Sequence, residues 1–218
     1  PLITMTKRYI YSNKFIKKIK SLKDDVLLIG ASQGIGLQML QAFKMNKSIK
    51  IYASYNRNKI VFKDTNISKI KCNIKNDLKK IFNIIDNNNS LKIFYFISDK
   101  IYFDKKLSNK IKKNYKNIFV DIPIKIIKNY LKNDKISFFY PSTTFIDIDK
   151  NTTYSKIKLV AENKLRLLKK NAKIKIMVHR FPAIYSRQSI NLFDREPISL
   201  NKYLEKNSNL LKHIVNKN

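Results

Sequence analysis

The sequence predicts an α/β protein: one parallel, doubly wound β-sheet between two layers of helices, in a single domain spanning residues 1–218. Three observations predict it. Apolar runs of strand type alternate with stretches of helical period along the chain. The first such run leads straight into the chain's three glycines and then into a helix. A chain of 218 residues with 44% apolar content is long enough to bury one substantial core.

Taken in order, residues 1–23 carry seven basic side chains and no acid. They lack the long apolar stretch of a secretory signal, and Ile16, Ile19 and Leu22 have helical spacing, so a short amphipathic helix is expected there. Val26 to Ile29 reads as the first strand. Gly30, Gly34 and Gly36 follow within seven residues, and they are all the glycine the chain has. Ile35, Met39, Leu40 and Phe43 then repeat at helical spacing. A strand, a glycine turn and a helix together point free backbone N–H groups at a phosphate. A plain tight turn would need one glycine; three in this setting predict a nucleotide cradle.

Beyond it, strands are expected at Ile49–Tyr55, Ile67–Ile74, Leu91–Ser98, Ile136–Tyr140 and Ile174–Val178. Helices are expected at Asn76–Ile85, over most of Leu107–Lys132 with Pro123 as a boundary, at Thr152–Lys170 with Ile157, Val160, Ala161, Leu165 and Leu168 inward, and between Leu200 and Val215. Residues 187–218 are expected to form a short loop and the closing helix. No repeat or linker divides the chain.

Composition excludes several function classes. No apolar run reaches the ~18 residues of a membrane span. The single cysteine, Cys72, rules out an internal disulfide framework and fits the reducing cytoplasm, where it reads as a buried structural thiol. Without a Cys-x-x-Cys pair or a histidine cluster, no metal site is expected. The net charge of +31 is almost all lysine, spread along the whole chain, with arginine only at 8, 57, 166, 180, 187 and 195. That pattern reads as a solvated lysine surface that attracts anions rather than as a nucleic-acid groove. His179 and His213 read as packed and as surface residues.

A second constellation lies near the end of the fifth strand. Pro141-Ser142-Thr143-Thr144 is followed, twelve residues after Ser142, by Tyr154-Ser-Lys-Ile-Lys158. Tyr154 and Lys158 stand one helical turn apart on one face. A tyrosine hydroxyl, with a pKa of ~10, is a poor acid or base at neutral pH. A lysine ammonium one turn away favours the tyrosinate, so the pair can exchange a proton with a carbonyl or alcohol. A hydroxyl at the strand tip would hold the same oxygen; spacing leaves Ser142 and Thr143 as alternatives.

The glycine turn, the hydroxyl cluster and Tyr-x-x-x-Lys together resemble the short-chain dehydrogenase/reductase family over about Val26 to Ser186. The resemblance implies a Rossmann-type three-layer fold and an oxidoreductase that interconverts a carbonyl and an alcohol. It implies Tyr154 as acid/base, Lys158 as the group that lowers its pKa and contacts the nicotinamide ribose, and Ser142 as the substrate-orienting hydroxyl. The turn residues Gly30, Ser32, Gln33, Gly34, Ile35 and Gly36 would hold the pyrophosphate. Asn73 stands where an adenine-contacting aspartate is usual, and Ser98 lies after strand four. Pro182, Ile184 and Ser186 are similar to the segment that embraces the nicotinamide. Related enzymes dimerise through their long helices, so a homo-oligomer, dimer or tetramer, is implied.

The chain also departs from the family. Ile97-Ser98-Asp99-Lys100 has no glycine where Asn-Asn-Ala-Gly is usual, and Asp121 aligns with the family's catalytic asparagine, where an acid would alter the proton relay. The end of strand two, Tyr52 to Asn58, has no acid to hold a ribose 2′-hydroxyl; Arg57, helped by Ser54, would pair with a 2′-phosphate, favouring NADP(H) over NAD(H). Two alternatives remain. One is a non-catalytic NADP-binding sensor or structural subunit. The other is a nucleotide-sugar epimerase or dehydratase, against which the short stretch after Ser186 argues.

Overall fold

The computed structural model describes residues 11–102, 107–184 and 197–216. In chain order the elements are α1 (Asn13–Lys20), β1 (Asp25–Ile29), α2 (Gly34–Phe43), β2 (Ile51–Tyr55), β3 (Ile67–Lys71), α3 (Leu78–Asp86), β4 (Leu91–Tyr95), α4 (Asn109–Lys116), a π-helical turn (Asn117–Asp121), α5 (Ile122–Asn129), β5 (Ile136–Thr143), α6 (Phe145–Ile148), α7 (Thr153–Lys170), β6 (Lys175–Phe181), α8 (Leu200–Lys206) and α9 (Ser208–Val215). The six strands form one sheet in the order β3-β2-β1-β4-β5-β6, and every pair is parallel. This is the Rossmann-type α/β fold the sequence predicts. The chain winds outward from β1 in both directions, so the carboxyl ends of β1 and β4 flank the crevice where such sheets bind ligands.

Each face of the sheet carries its own core. Along β1, Val26 and Leu28 point to one face and Leu27 and Ile29 to the other, the two-residue period of a strand buried on both sides. The first face packs Phe15 and Ile19 of α1, Met39 and Phe43 of α2, Leu200 and Leu204 of α8, and Ile214 of α9. The second packs α3, α5 and α7 through Ile81, Ile126 and Leu165. Local signals set the helix starts: the side chains of Ser12, Ser108 and Thr152 accept the N–H of Phe15, Ile111 and Ser155.

Three expectations need correction. Val160 is 44% exposed on the outer face of α7, with Leu167 beyond it, because the inward face is taken by Tyr154, Lys158, Ala161, Glu162 and Leu165. The closing helix is two helices, divided at Asn207, whose main-chain N–H and side-chain amide both donate to Tyr203 O and end α8. The long helix before β5 breaks not at Pro123 itself but in the π turn preceding it.

Candidate functional site

The glycine turn is built by backbone sterics. Gly30 has φ +90°, and a Cβ there would stand 3.0 Å from the backbone of Phe96 and Ile97. At Gly36 a Cβ would lie 2.0 Å from Gly30 O, closer than any atoms can approach without a shift of backbone. Gly34 opens α2 at φ +56°. The turn is anchored from β2: Gly30 N donates to Ser54 Oγ at 3.0 Å and Ala31 N to Ser54 O at 2.8 Å. Gln33, the residue before α2, provides no side-chain cap, and no acid lies in the first turn. The first N–H groups of a helix lack internal acceptors, so this end suits an anion. Ser32, Gly34 and Ile35 are half-buried and Gln33 is exposed. The uncapped helix start, set by packing that leaves no room for a Cβ at Gly30 or Gly36, fits the pyrophosphate of a dinucleotide.

The loop after β2 meets this turn, since Asn58 donates to Gln33 Oε1 at 3.0 Å. Arg57 beside it is exposed. Ser54 does not stand with Arg57: it is buried, and its hydroxyl is engaged by Gly30. Its expected help with a 2′-phosphate is therefore replaced by a role in shaping the turn. Asn73, half-buried after β3, accepts from Lys75 N at 3.3 Å and donates its own N–H to Asp77. Ser98 is exposed after β4, and its hydroxyl donates to Asp99 O at 3.0 Å.

The second constellation is built from side chains, and it is closed. Tyr154 is 7% exposed. Its ring meets Tyr115 and Phe119 edge-on, with centroids 6.2 and 5.6 Å away. The segment after β4 covers this cluster: the Tyr115 hydroxyl donates to Lys100 O at 2.7 Å and accepts from Tyr102 N at 2.9 Å. Ile97, Ile101 and Tyr102 pack against the same group. Lys158, 4% exposed, points its amine at β5, donating to Tyr140 OH at 3.1 Å and to Pro141 O at 2.6 Å. Burial pulls its pKa down to about 7 against the favourable charge of Glu162. Burial, and then the neighbouring Tyr115, raises the Tyr154 phenol above its ordinary value. The expected lowering of that pKa by Lys158 is thus absent from this state: the tyrosine that meets the lysine is Tyr140.

Of the two candidate hydroxyls, Thr143 accepts from Phe145 N at 3.1 Å and starts α6. Ser142 is buried beside Glu162. Glu162 itself, two turns after Tyr154, receives two bonds from Arg180, at 2.9 and 2.7 Å, and Arg180 also donates to Asp147 at 2.6 Å. Burial works to raise the Glu162 carboxyl. Hydrogen bonds from Arg180, with the nearby Ser142 hydroxyl and the charges of Arg180 and Lys158, hold it below its ordinary value, while the buried Ser142 Oγ makes no hydrogen bond within normal geometry among the described residues. Sequence reasoning missed Glu162 and Arg180; the i, i+4, i+8 spacing of Tyr154, Lys158 and Glu162 was the available signal.

Asp121 is corrected: its side chain is 47% exposed and faces Lys116 at 3.9 Å. The polar residue of the α4 layer that reaches the end of β4 is Asn114, which donates to Asp99 and accepts from Lys75. Pro182 is half-buried after β6, and Ile184 is buried in the core, in a parallel bridge with Ile198. Ser186 lies outside the described residues. His179, whose pKa burial lowers, makes a 2.8 Å hydrogen bond with Tyr203 and packs on Phe181. Cys72 is buried, its thiol pushed up to about 11 by burial and Asp77, which leaves it unreactive at neutral pH. Among the described residues no group of three or more His, Cys, Asp or Glu could hold a metal, and no helix is long and apolar enough to cross a membrane.

No family model and no curated protein matches the chain. Solved structures do. A short-chain dehydrogenase from Burkholderia cenocepacia in complex with NADP superposes with a TM-score of 0.73 at 10% identity, over 91% of this chain and 86% of the other. A short-chain dehydrogenase from Salmonella enterica serovar Typhi gives 0.67 at 12% identity, over 91% and 93%. A ketone-specific alcohol dehydrogenase from Comamonas testosteroni gives 0.66 at 14% identity, over 88% and 83%. The fold of this chain is the fold of the short-chain dehydrogenases.

Proposed function

We propose that the chain is a divergent short-chain dehydrogenase/reductase that binds NADP(H) and interconverts a carbonyl and an alcohol. The observation that carries this reading is the pairing of two independent features at the carboxyl end of the sheet. The turn packs too closely for a Cβ at Gly30 or Gly36 and so presents the uncapped start of α2, where a pyrophosphate would lie, and Tyr154 and Lys158 rise on α7 beside the end of β5. NADP complexes among the structures of the same fold support the choice of ligand.

In this reading the backbone N–H groups from Ser32 to Gly36 hold the pyrophosphate. Arg57, exposed beside the turn, pairs with the 2′-phosphate. The bound dinucleotide supplies or accepts the hydride. Tyr154 exchanges the proton with the substrate oxygen, Lys158 sets its ionisation, and Ser142 orients that oxygen. For this the segment covering Tyr154 must move aside and the Lys158 amine must turn from Pro141 O toward the phenol. The exposed Val160 and Leu167 on α7 support the expected self-association, and the reduced thiol fits a cytoplasmic setting.

The closed state of Tyr154 favours a second reading, an NADP-binding sensor or structural subunit without turnover. The two readings separate on one experiment. NADPH is titrated by fluorescence into wild type and Tyr154→Phe, and both are assayed on a panel of ketones and alcohols. The reductase reading expects equal NADPH affinity and turnover reduced by at least about a hundredfold in the variant. Binding without turnover by either protein supports the sensor. Full activity in Tyr154→Phe would overturn the acid/base assignment.

A further inference from the structure

The break between α4 and α5 can be followed residue by residue. In a continuous α-helix the Phe119 carbonyl would accept from residue 123, but that residue is Pro123, which has no N–H. One step earlier, the Ile122 N–H donates to Asn117 O, five residues back, and so releases the Ile118 carbonyl. Two adjacent main-chain acceptors would be left in the core, where an unpaired carbonyl is costly. Two buried tyrosines satisfy them. Tyr95 on β4 donates to Ile118 O at 2.7 Å, and Tyr140 on β5 donates to Phe119 O at 2.9 Å. Their rings stack, with centroids 6.3 Å and planes 14° apart.

The two tyrosines differ in one respect. The Tyr140 oxygen also accepts from Lys158 Nζ, which sits 4.3 Å from the centre of the Tyr140 ring. Because the phenol proton is committed to Phe119 O, the oxygen can offer the lysine only a lone pair. We propose that Tyr140 is a positioning residue for Lys158: the π turn orients its hydroxyl, and the hydroxyl holds the lysine amine at β5 and favours its protonated form. As a role in turnover this rests on the reading of Tyr154 and Lys158 as the acid/base pair.

The groups around the lysine come from four elements. β5 contributes Tyr140 and the Pro141 carbonyl; the π turn contributes the Phe119 ring, 5.0 Å away. α7 contributes Tyr154 one turn before and Glu162 one turn after. β6 contributes Arg180, which binds Glu162 and Asp147. Burial lowers the lysine pKa and Glu162 raises it. Tyr140 adds a second acceptor on β5, beside the Pro141 carbonyl.

The test is lysine titration by NMR on the full chain carrying 13Cε-lysine, without ligand. Lys158 should titrate near neutral pH, apart from the surface lysines, and its resonance is assigned by its loss in Lys158→Met; Lys92, also lowered by burial, remains in that variant. Tyr140→Phe should lower the Lys158 midpoint by about one pH unit. Tyr95→Phe removes the matching hydroxyl from the other π-turn carbonyl and should leave the midpoint in place, although both variants should melt at lower temperature. An unchanged midpoint in Tyr140→Phe, or equal changes in both variants, would overturn the proposal.

If Tyr140→Phe fails to fold, wild type labelled at tyrosine 13Cζ decides. One tyrosine resonance must move through the Lys158 midpoint and stop doing so in Lys158→Met, and the absence of any such resonance overturns the proposal. NADPH affinity is measured separately. A wild type that titrates as expected but binds no NADPH tells against the oxidoreductase reading while leaving the hold of Tyr140 on Lys158 established.

Discussion

The two halves of the candidate site are built on different principles. The nucleotide half is backbone: its shape follows from Gly30 and Gly36, whose absent Cβ atoms leave room for Phe96, Ile97 and the Gly30 carbonyl. Its helix start is partly open to solvent. The chemical half is side chain: Tyr154, Lys158, Glu162 and Ser142 are all buried, and Lys158 and Glu162 are hydrogen-bonded to protein groups while the Ser142 hydroxyl has no hydrogen-bond partner among the described residues. A backbone cradle has one arrangement, because steric exclusion allows no other. A side-chain site depends on rotamers, and here the Lys158 amine lies on Tyr140 and Pro141. Such a chain can keep its nucleotide turn intact while its chemistry is closed, altered or lost.

The largest effect that would break this comparison is at the turn. Gly36→Ala puts a Cβ 2.0 Å from Gly30 O. Relief requires the turn to open by about 1 Å, and overpacking of this kind costs about 1–3 kcal/mol. NADPH affinity should fall on the order of a hundredfold with it. Thermal melting and fluorescence titration read the two losses, and normal binding by the variant would show that the cradle is not sterically set.

The next test concerns the buried half and pH. Lys158 has a folded pKa of about 7, below its ordinary value. Between the two, the unfolded chain holds a proton that the folded chain has released. Lys158 therefore contributes stability that rises as pH climbs above about 7 toward the ordinary lysine value, with a slope of up to about 1.4 kcal/mol per pH unit. Denaturant unfolding of wild type and Lys158→Met at pH 6.5 to 9 should show the wild type gaining relative to the variant. Parallel curves would mean that the lysine is solvated rather than buried.

The smallest effect sharpens the nucleotide half. Arg57→Ala should weaken NADPH by about tenfold and leave NADH unchanged, since only the 2′-phosphate offers the guanidinium a charged acceptor. Equal loss for both dinucleotides would assign Arg57 to general attraction of anions by a protein of net charge +31.

Much of the fold was legible because its signals are local. The apolar run at Val26–Ile29 and the helical spacing of Met39, Leu40 and Phe43 depend on neighbours a few residues away. The candidate site was legible only as membership. Tyr154, Lys158 and Ser142 could be named from spacing, but not where their polar atoms go. Val160 was misplaced because a helix with apolar residues on more than one side does not declare which side faces the sheet. Asp121 was expected to bear on the proton relay but is half exposed beside Lys116, at the end of a π turn whose freed carbonyls are met by Tyr95 and Tyr140 from distant strands.

By itself, then, the amino-acid sequence determined the parallel α/β architecture, the strand-turn-helix around Gly30 to Gly36, and the helical face shared by Tyr154 and Lys158. These follow from periodicity, from φ and from the space a Cβ would occupy, all properties of short segments. Only the tertiary structure decided that Ser54 braces the glycine turn, that Lys158 turns to Tyr140, that Glu162 is neutralised by Arg180, and that residues 97–102 cover Tyr154. The fourth is apolar packing, and the first three are choices of hydrogen-bond partner made in a buried or partly buried setting. There an unsatisfied polar group is costly, and the partner comes from whichever distant segment packing brings alongside.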